Sequence, residues 1–366
     1  MTEDMLRAYL AAIQPADRMA LDAAARRQAQ LAKPPGSLGK LEEISVRMAG
    51  VTGKVGYVPE RCRVLVLAAD NGVIAEGVSS SPESVTLAQS INMTKRKTGM
   101  SALAAYFGCD VVVTDVGING DYHCPAIRNR KIRYSTGNLA QEPAMSRDQC
   151  LDALAVGLDL AAEAKADGVD LVGVGEMGIG NTTTSAAILA ALTGATVEQV
   201  TGRGGGVTDA AFKKKKQVIT QALALRQIDP GDPLDVLSKV GGLDLAAMTG
   251  VYLGCARHRI AAVADGFISV VAALCAYRLC PAARDYIFLS HVSYEVGYQI
   301  AARALDLTAF LELEMRLGEG SGCPLAFQVI RGACAVLRDM ATFPEAAIDD
   351  SYLQEIRRSD AFTVRP

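Results

Sequence analysis

The sequence shows no excess of basic charge, no secretion signal and no apolar run long enough to cross a membrane. Its 37 Lys and Arg residues face 40 Asp and Glu residues, which gives a formal net charge of −3. Nucleic-acid binding depends on basic groups that neutralise phosphates, so this balance argues against such a partner. The opening MTEDMLRAYL is unlike a signal peptide, and the longest apolar stretch, residues 266–276, is too short for a bilayer. We therefore expect a cytoplasmic protein with no nucleic-acid or membrane partner.

Cysteine and histidine patterns typical of metal or disulfide sites are also missing. The nine cysteines are odd in number, show no CxxC spacing and lie mostly in apolar runs, where a thiol behaves as a small hydrophobe. The three histidines, His123, His258 and His291, are scattered singly. We expect reduced core thiols, with no zinc ribbon, disulfide framework or metal cluster.

Short apolar runs alternate with long helical patterns along the chain. The runs are continuous and bounded by charge, as in strands buried on both faces, and cover residues 63–69, 111–116, 169–174 and 286–289. A fifth run, 263–271, is ambiguous because Asp265-Gly266 interrupts it. The helical patterns cover residues 1–32, 40–48, 84–106, 147–166, 184–192, 209–225 and 234–257, and helix returns over 310–366. This alternation predicts an α/β fold, a Rossmann-like parallel sheet with helices on both faces.

Both chain ends are helical, which predicts two domains. Residues 60–305 form the main α/β domain, and residues 1–59 together with 306–366 form a small helical domain. Ligands in parallel sheets gather at the carboxyl ends of the strands. Glycine-containing segments fall there, at residues 70–73 after the first strand and 175–180 after the third.

The segment GEMGIGNTT (175–183) leads from a strand into a helix and carries a carboxylate, Glu176. Its glycines let backbone N–H groups approach an anion, and the helix amino terminus adds unpaired donors. Asn181 and the threonine hydroxyls can cap the helix or donate to phosphate. A second cluster, TGRGGG (201–206), also opens a helix. Together they predict a phosphate site that is neither a Walker loop nor a GxGxxG fingerprint; the alternative is a tight turn without ligand.

One lysine in the run KKKK (213–216) stands out by its helical spacing. Only Lys215 shares the apolar stripe of Phe212, Ile219 and Leu223. A lysine on the buried face after a glycine loop indicates an anion ligand. The alternative is a side chain that extends to the edge of the apolar face, with its charge in water.

A single carboxylate, Glu319, lies between glycines in RLGEGSG (316–322). It has no helical or strand pattern around it. A carboxylate held in a cleft can act as a general base when its surroundings tune its pKa. The alternative is an ordinary acidic surface turn.

Eight segments occur in one order across nearly the whole chain. They are KPPGSLGKLE (33–42), DNGVIAEGVSSSPESVTLAQ (70–89), GEMGIGNTTT (175–184), TGRGGG (201–206), GGLDLAAM (241–248), DGF (265–267), SHVS (290–293) and LGEGSG (317–322). Together they closely resemble the nicotinate-nucleotide:dimethylbenzimidazole phosphoribosyltransferase family of cobamide lower-ligand assembly.

The resemblance implies a dimer that uses no cofactor and no metal. Nicotinate mononucleotide would donate its 5-phosphoribosyl group to an aromatic acceptor that attacks C1′ from the face opposite nicotinate, giving an α-glycosidic product. Glu319 matches the general base that deprotonates the acceptor. The implied donor residues are Glu176 near the ribose, Gly178, Gly180, Asn181, Thr182, Gly204, Gly205, Lys215 and Ser293. The implied acceptor residues are Ser81, Gln89, Met177 and Leu317.

The sequence departs from the family at three places. Asn71 stands where many members have His, SHVSYEVG (290–297) replaces SHxSAEPG, and EGSGCPL (319–325) replaces EGSGAAL. We interpret these departures as lying around the acceptor. They predict that the enzyme accepts small phenols such as p-cresol as well as, or better than, dimethylbenzimidazole. Relatives that use phenols work as pairs of unlike homologous subunits, so a homodimer and a heterodimer with a homologous subunit both stay open.

Two other functions remain as alternatives. One is a non-catalytic homologous subunit or nucleotide-binding module, against which the intact Glu319 between its glycines argues. The other is an NAD-linked dehydrogenase, disfavoured by the missing GxGxxG and the lack of a well-placed histidine.

Overall fold

The computed structural model of the chain describes residues 1–353 and has the predicted alternation of strands and helices. Its strands are β1 (Cys62–Ala69), β2 (Asp110–Gly117), β3 (Ile127–Asn129), β4 (Leu171–Met177), β5 (Ala261–Ala264) and β6 (Ile287–Leu289). Its helices are α1 (Glu3–Ala11), α2 (Arg18–Gln30), α3 (Lys40–Thr52), α4 (Ser84–Thr94), α5 (Gly99–Tyr106), α6 (Arg147–Ala166), α7 (Asn181–Thr193), α8 (Val197–Val200), α9 (Asp209–Leu225), α10 (Pro233–Val240), α11 (Leu243–His258), α12 (Phe267–Leu279), α13 (Tyr298–Leu305) and α14 (Cys323–Asp339). Three short 3₁₀ helices cover Gly72–Glu76, Pro281–Tyr286 and Ser351–Leu353.

The six strands form one parallel sheet in the order β3-β2-β1-β4-β5-β6. Every residue of β1 and β4 is buried, because helices cover both faces of the sheet and the strands are correspondingly apolar. From β1 the chain continues outward in one direction, and from β4 in the other. The carboxyl ends of β1 and β4 therefore flank the point where the strand order reverses, which is where parallel sheets bind ligands.

Two helical patterns predicted as single helices are each divided in the structure. Residues 84–106 form α4 and α5, because Thr98 begins a new helix with a capping box to Ser101. Residues 234–257 belong to α10 and α11, which are separated at Gly241-Gly242. In both regions the apolar periodicity runs through the break and hides it from a reading based on periodicity alone.

The predictions for the chain ends and the ambiguous run also need correction. Residues 1–32 form two helices, α1 and α2, with Pro15 between them. Residues 263–271 belong to β5 and α12, which meet at Asp265-Gly266. Within 310–353 the only α-helix is α14, and the rest of that prediction (354–366) lies outside the described residues. The three-residue strand β3 was too short to be predicted.

The two ends of the described chain pack against each other. Helices α2, α3 and α14 share a small apolar cluster, consisting of Ala20, Ala24, Val46, Ala49 and Leu337. The backbone N–H of Ala32 donates to the carbonyl of Ala341 at 2.9 Å, and a β-bridge joins Leu31 to Thr342. Leu6 of α1, in contrast, belongs to the main core. The boundary between a main and a small domain stays a prediction.

The nine cysteines are free thiols in the structure. Eight are buried and Cys124 is half-buried. Within residues 1–353, no helix is both long enough and apolar enough to cross a membrane. The same part of the chain contains no group of three or more His, Cys, Asp or Glu side chains placed to hold a metal ion.

Candidate active site

A cleft of about 290 Å³ opens at the carboxyl ends of β4, β5 and β6. The loop after β4 meets the segment before α4, the glycine turn before α9 and the turn before α14 there. The structure brings all fourteen residues predicted from the sequence to the lining of this one cleft: Ser81, Gln89, Glu176, Met177, Gly178, Gly180, Asn181, Thr182, Gly204, Gly205, Lys215, Ser293, Leu317 and Glu319.

The loop from β4 into α7 forms one side of the cleft. Gly180 precedes α7 with φ +98°, a left-handed conformation that favours glycine, and α7 begins at Asn181. The turn before α9 comes close to this helix, since a Cβ atom on Gly204 would lie 2.9 Å from Thr182 Oγ1. The first turn of α7 and the glycine turn thus place hydroxyl and backbone groups side by side, as an anion requires.

Lys215 of α9 is buried beneath this pair of loops. Its Nζ donates to Thr182 Oγ1 at 2.8 Å and to the carbonyl of Gly202 at 3.2 Å. Lys215 is 1% exposed, whereas Lys213 and Lys214 are exposed, as the helical spacing predicts. Burial lowers the pKa of Lys215 to about 8. A cation that has lost most of its water would gain from an incoming anion.

Glu295 faces the same subsite, and the sequence analysis did not single it out. Burial raises its pKa, against the opposing influence of the Lys215 charge. Within the described chain, its Oε2 is buried without a hydrogen-bond partner. A Cβ atom on Gly202 would lie 1.9 Å from that oxygen, so glycine makes room for the carboxylate. Glu295 lies in the segment SHVSYEVG, but that segment gives no sign that its glutamate points inward.

Two buried acids share the side-chain amide of Asn181. Asn181 Nδ2 donates to Glu176 Oε2 and, at 3.0 Å, to Asp244 Oδ2. Burial raises the pKa of Glu176 to about 8 and that of Asp244 to about 6. Glu176 is therefore mostly a neutral acid at pH 7. Asp244 lies in the first turn of α11, within the GGLDLAAM segment. It was missed because the break before α11 was missed.

The turn that carries Glu319 has an unusual backbone. Gly318, Glu319 and Gly320 have φ values of +81°, +65° and +89°, all in the left-handed region. Two of the three positions are glycines, for which this conformation carries no steric penalty. The turn lies directly against β4, because a Cβ atom on Gly175 would be 2.4 Å from the Glu319 carbonyl oxygen.

The Glu319 side chain is held by neutral donors. Its Oε1 accepts from Gln89 Nε2 at 3.4 Å, and its Oε2 accepts from the backbone N–H of Met100 at 3.4 Å. Met100 lies in the first turn of α5, so the carboxylate lies at a helix amino terminus. Glu319 is 6% exposed, and burial raises its pKa. This combination suits a general base.

Asp265, which also lines the cleft, holds the same turn. Its Oδ1 accepts from the N–H of Gly322 at 2.7 Å, and its Oδ2 accepts from the N–H of Gly320 at 3.1 Å. His291 Nδ1 lies 3.7 Å from Oδ1. Burial raises the pKa of Asp265, and the nearby His291 opposes this effect. Both residues belong to quoted segments, DGF and SHVS, but no local pattern shows that they meet.

The remaining predicted residues form the other wall of the cleft. Ser81 and Gln89 are half-buried, on the segment leading into α4 and on α4 itself. Met177 ends β4, and Leu317 precedes the turn with 57% of its surface exposed. The hydroxyl of Ser80 donates to the Gly206 carbonyl, so this wall touches the glycine turn opposite.

The departures from the family pattern do not surround this wall. Asn71 is fully buried under the glycine loop, where a Cβ atom on Gly178 would lie 3.2 Å from its Nδ2. Tyr294 and Val296 are exposed, and Cys323 is buried against Gly173 of β4. Among the described residues, none of these four lines the cleft. Asn71 lies behind the predicted donor residues, whereas Cys323 follows the turn of Glu319, its N–H donating to the Gly320 carbonyl at 3.1 Å. That these departures affect the choice of acceptor stays a prediction.

Comparison with known proteins gives a consistent result. A family model described as phosphoribosyltransferase matches residues 13–348. Proteins described as nicotinate-nucleotide–dimethylbenzimidazole phosphoribosyltransferase are similar over nearly the full length. One from Clostridium perfringens is 48% identical over 361 residues, covering 98% of this chain and 100% of its own. One from Geobacter metallireducens is 44% identical over 346 residues, with 94% and 98% covered. The crystal structure of the Thermus thermophilus protein of that description has a TM-score of 0.86 at 40% identity, covering 92% of this chain and 100% of that one.

Proposed function

The chain belongs to this phosphoribosyltransferase family, and on that premise we propose that it transfers the 5-phosphoribosyl group of nicotinate mononucleotide to dimethylbenzimidazole. The observation that carries the proposal is that one cleft is lined by both a buried lysine, Lys215, and a buried carboxylate, Glu319. The lysine can bind the phosphate of an anionic donor, and the carboxylate can remove a proton from the acceptor.

The donor phosphate would bind where Lys215, Thr182 and the glycine turn converge. Backbone N–H groups at the start of α7 and the Lys215 ammonium both favour an anion there. The ribose would then extend toward Glu176, whose raised pKa leaves it a neutral acid able to donate as well as accept a hydrogen bond. A donor placed in this way needs no metal ion, since one cation and a helix terminus stabilise a single phosphate.

The reaction then requires one protein group that takes up a proton. As the acceptor nitrogen forms its bond to C1′ from one face, the bond from C1′ to the nicotinate nitrogen breaks on the other. The electron pair of that bond discharges the positive pyridinium ring, and the azole N–H proton passes to Glu319. The Gln89 amide and the Met100 N–H keep the Glu319 carboxylate oriented toward the acceptor. The product is an α-glycosidic riboside phosphate and free nicotinate.

An azole is the acceptor we propose. The relatives' descriptions specify dimethylbenzimidazole. The phenol prediction relied on departures from the family pattern, and those residues do not line the cleft within the described part of the chain. A glutamate base can deprotonate either an azole N–H or a phenolic O–H, so phenols belong in the test as competing acceptors.

We further propose that a single kind of chain is sufficient for activity, without an unlike partner subunit. All the predicted site residues line one cleft of one chain, which favours a homodimer over a pair of unlike subunits. Light scattering of the purified protein would give its oligomeric state. The free thiols favour a cytoplasmic enzyme, since such cysteines are typical of a reducing compartment.

The test is to incubate the purified chain alone with nicotinate mononucleotide and equal concentrations of dimethylbenzimidazole and p-cresol. We expect nicotinate release and an N-linked riboside phosphate, both identified by mass. An O-linked product in excess would reassign the acceptor. Absence of nicotinate release with every acceptor, from folded protein, would contradict the proposal.

A further inference from the structure

We propose that Asp265 is a positioning residue for the reaction, one that fixes the turn carrying Glu319 without contacting the reacting atoms. The inference rests on the proposed function, since it assigns Glu319 the role of base. Its direct support is a pair of hydrogen bonds. The two carboxylate oxygens of Asp265 accept from Gly320 N–H at 3.1 Å and from Gly322 N–H at 2.7 Å, on the carboxyl side of Glu319.

The turn needs such support because its own conformation is unfavourable. Three successive residues, 318–320, have left-handed φ values, and Glu319 is not a glycine. A non-glycine residue in this region is energetically unfavourable and persists only when its surroundings hold it. The backbone N–H of Glu319 donates to Glu176 Oε1 at 3.2 Å. The Asp265 carboxylate accepts from the N–H groups of Gly320 and Gly322. Buried carboxyl groups therefore accept three backbone N–H groups of the turn.

Asp265 is itself well placed to be rigid. It follows β5 directly, and the hydroxyl of Ser290, which follows β6, donates to its carbonyl at 3.1 Å. Asp265 is 2% exposed, and both of its carboxylate oxygens are taken by the turn. The titratable groups that face it are Glu176 on β4, Tyr252 on α11, His291 after β6, Tyr298 on α13, Glu319 in the turn and Cys323 on α14.

The chain contains a matched control. Asp115 is also fully buried at the carboxyl end of a strand, β2, and it also accepts two backbone N–H groups, from Gly117 at 2.9 Å and from Ile118 at 2.8 Å. Among the described residues that line the cleft, Asp115 is absent. Both N–H groups donate to Oδ1 of Asp115, while its Oδ2 accepts from the Tyr122 hydroxyl at 2.7 Å and lies 3.4 Å from Lys131 Nζ. Asp115→Asn therefore perturbs another buried, hydrogen-bonded carboxylate of the same sheet without touching the turn of Glu319.

The experiment compares the kinetics of Asp265→Asn and Asp115→Asn with those of wild type. An asparagine at 265 presents one acceptor oxygen and one NH₂ group, so one N–H of the turn loses its partner. We expect kcat to fall by about tenfold to a hundredfold, as for a catalytic group displaced by an ångström, with the donor KM within about threefold of wild type. Asp115→Asn should keep kcat within about twofold, whatever its thermal stability.

The pH dependence of kcat separates this positioning role from a general loosening of the structure around the site. Burial is the main reason that the pKa of Glu319 is raised, and the negative charge of Asp265 raises it further. Removal of that charge lowers the Glu319 pKa. Since the base works deprotonated, the acid limb of kcat should move to lower pH in Asp265→Asn. Asp265→Glu keeps the charge but shifts the carboxylate oxygens. In that variant kcat should fall, while the acid limb of its pH profile stays at the wild-type pH.

A structural measurement keeps the inference testable if a variant does not fold or if no activity is found. Amide hydrogen exchange in the wild-type protein should show Gly320 and Gly322 protected, and Asp265→Asn should lose that protection. Rapid exchange of both amides in wild type would overturn the inference, whatever the enzyme does. So would an Asp265→Asn enzyme with wild-type kcat and pH profile. A wild type with protected amides but no nicotinate release would instead count against the proposed function alone.

Discussion

Glu319 has neutral groups as hydrogen-bond partners rather than a cation. The Gln89 amide, the Met100 N–H and the Thr98 hydroxyl each favour the ionised carboxylate, while burial, the larger influence, raises its pKa. A basic partner would have held the carboxylate too strongly ionised to accept a proton readily. Neutral donors orient it and leave it a stronger base, which is what proton removal from an acceptor requires.

At this residue, Glu319→Gln should reduce kcat by about 10²–10⁴, because glutamine cannot take up the acceptor's proton. The donor KM should change little, since the proposed phosphate contacts come from Lys215, Thr182 and the glycine turn rather than from Glu319. Initial rates of nicotinate release measure both quantities. Glu312→Gln, an exposed position in the same segment, serves as the control. A Gln variant that retained half of the wild-type kcat would show that another group removes the proton.

Lys215 offers a second residue-level prediction. Lys215→Ala should weaken binding of nicotinate mononucleotide by about tenfold to a hundredfold, the effect of losing a charge-assisted contact of about 1.5–3 kcal/mol. Exposed Lys213→Ala should bind almost as wild type does. Because the pKa of Lys215 is about 8 and its protonated form binds the phosphate, wild-type affinity should fall as pH rises above about 8. Calorimetry at pH 7 and 9 checks both points. Equal losses of donor affinity in Lys213→Ala and Lys215→Ala would mean that the lysines act only through their general positive charge.

Among the elements, the breaks between helices matter more to the site than the helices themselves. The sequence predicted one helix over 84–106, yet the break before Gly99 is what points the Met100 N–H at Glu319. The break at Gly241-Gly242 likewise puts Asp244 at a helix start, beside Asn181. Apolar periodicity continues through both breaks because both flanking helices lie on the same core. Thr98 and the glycine pair were the available local signals.

Contact between two elements, β4 and the turn before α14, gives the third prediction. Gly175→Ala would put a methyl group 2.4 Å from the Glu319 carbonyl oxygen, so strand and turn must separate. We expect destabilisation of at least about 1–3 kcal/mol, as for an overpacked core, and a fall in kcat.

Gly332→Ala on α14 is its matched control, since a Cβ atom there meets open space. That variant should be stabilised by about 0.5–1 kcal/mol and remain fully active. Urea unfolding and nicotinate release test the pair. Wild-type stability and kcat in Gly175→Ala would mean that the close approach is not required.

For the whole molecule, local pattern and tertiary arrangement contributed differently to the prediction. The sheet, its carboxyl edge and the buried face of Lys215 followed from periodicity within single elements. The separate contacts of Asp265, Glu295 and Asp244 did not, because each of these acids meets a partner from a distant part of the chain. Strand order decides which loops become neighbours, and no single segment encodes that order. The resemblance to a known family, rather than the residues alone, assigned Ser81 and Gln89 to the same site as Glu319.

The concentration of buried acids at one edge of the sheet should affect the stability of the whole molecule. Glu176 has a pKa of about 8, above the ordinary 4.5, so the folded state holds its proton more tightly than the unfolded chain does. Its contribution to stability is intact below about pH 4.5 and is lost as pH rises toward 8. Glu176→Gln removes this titration. Its stability relative to wild type should therefore improve with pH, by up to about 1.4 kcal/mol per pH unit.

Urea unfolding at pH 5, 6.5 and 8 measures this difference, with exposed Glu312→Gln as the reference for the substitution itself. A difference between Glu176→Gln and wild type that stayed constant over this range would show that Glu176 titrates normally in the folded protein.

The burial of the thiols has a practical consequence for spectroscopy. Of the nine cysteines, only Cys124 is even half-exposed, and the sequence contains no tryptophan. A maleimide dye should therefore attach first at Cys124 in the native state, with no cysteines removed beforehand. A single tryptophan introduced elsewhere would be the only indole emitter in the chain. The protein thus accepts a donor–acceptor pair for energy transfer with one substitution and one labelling step, and substrate binding can be followed as a change in distance within the native molecule.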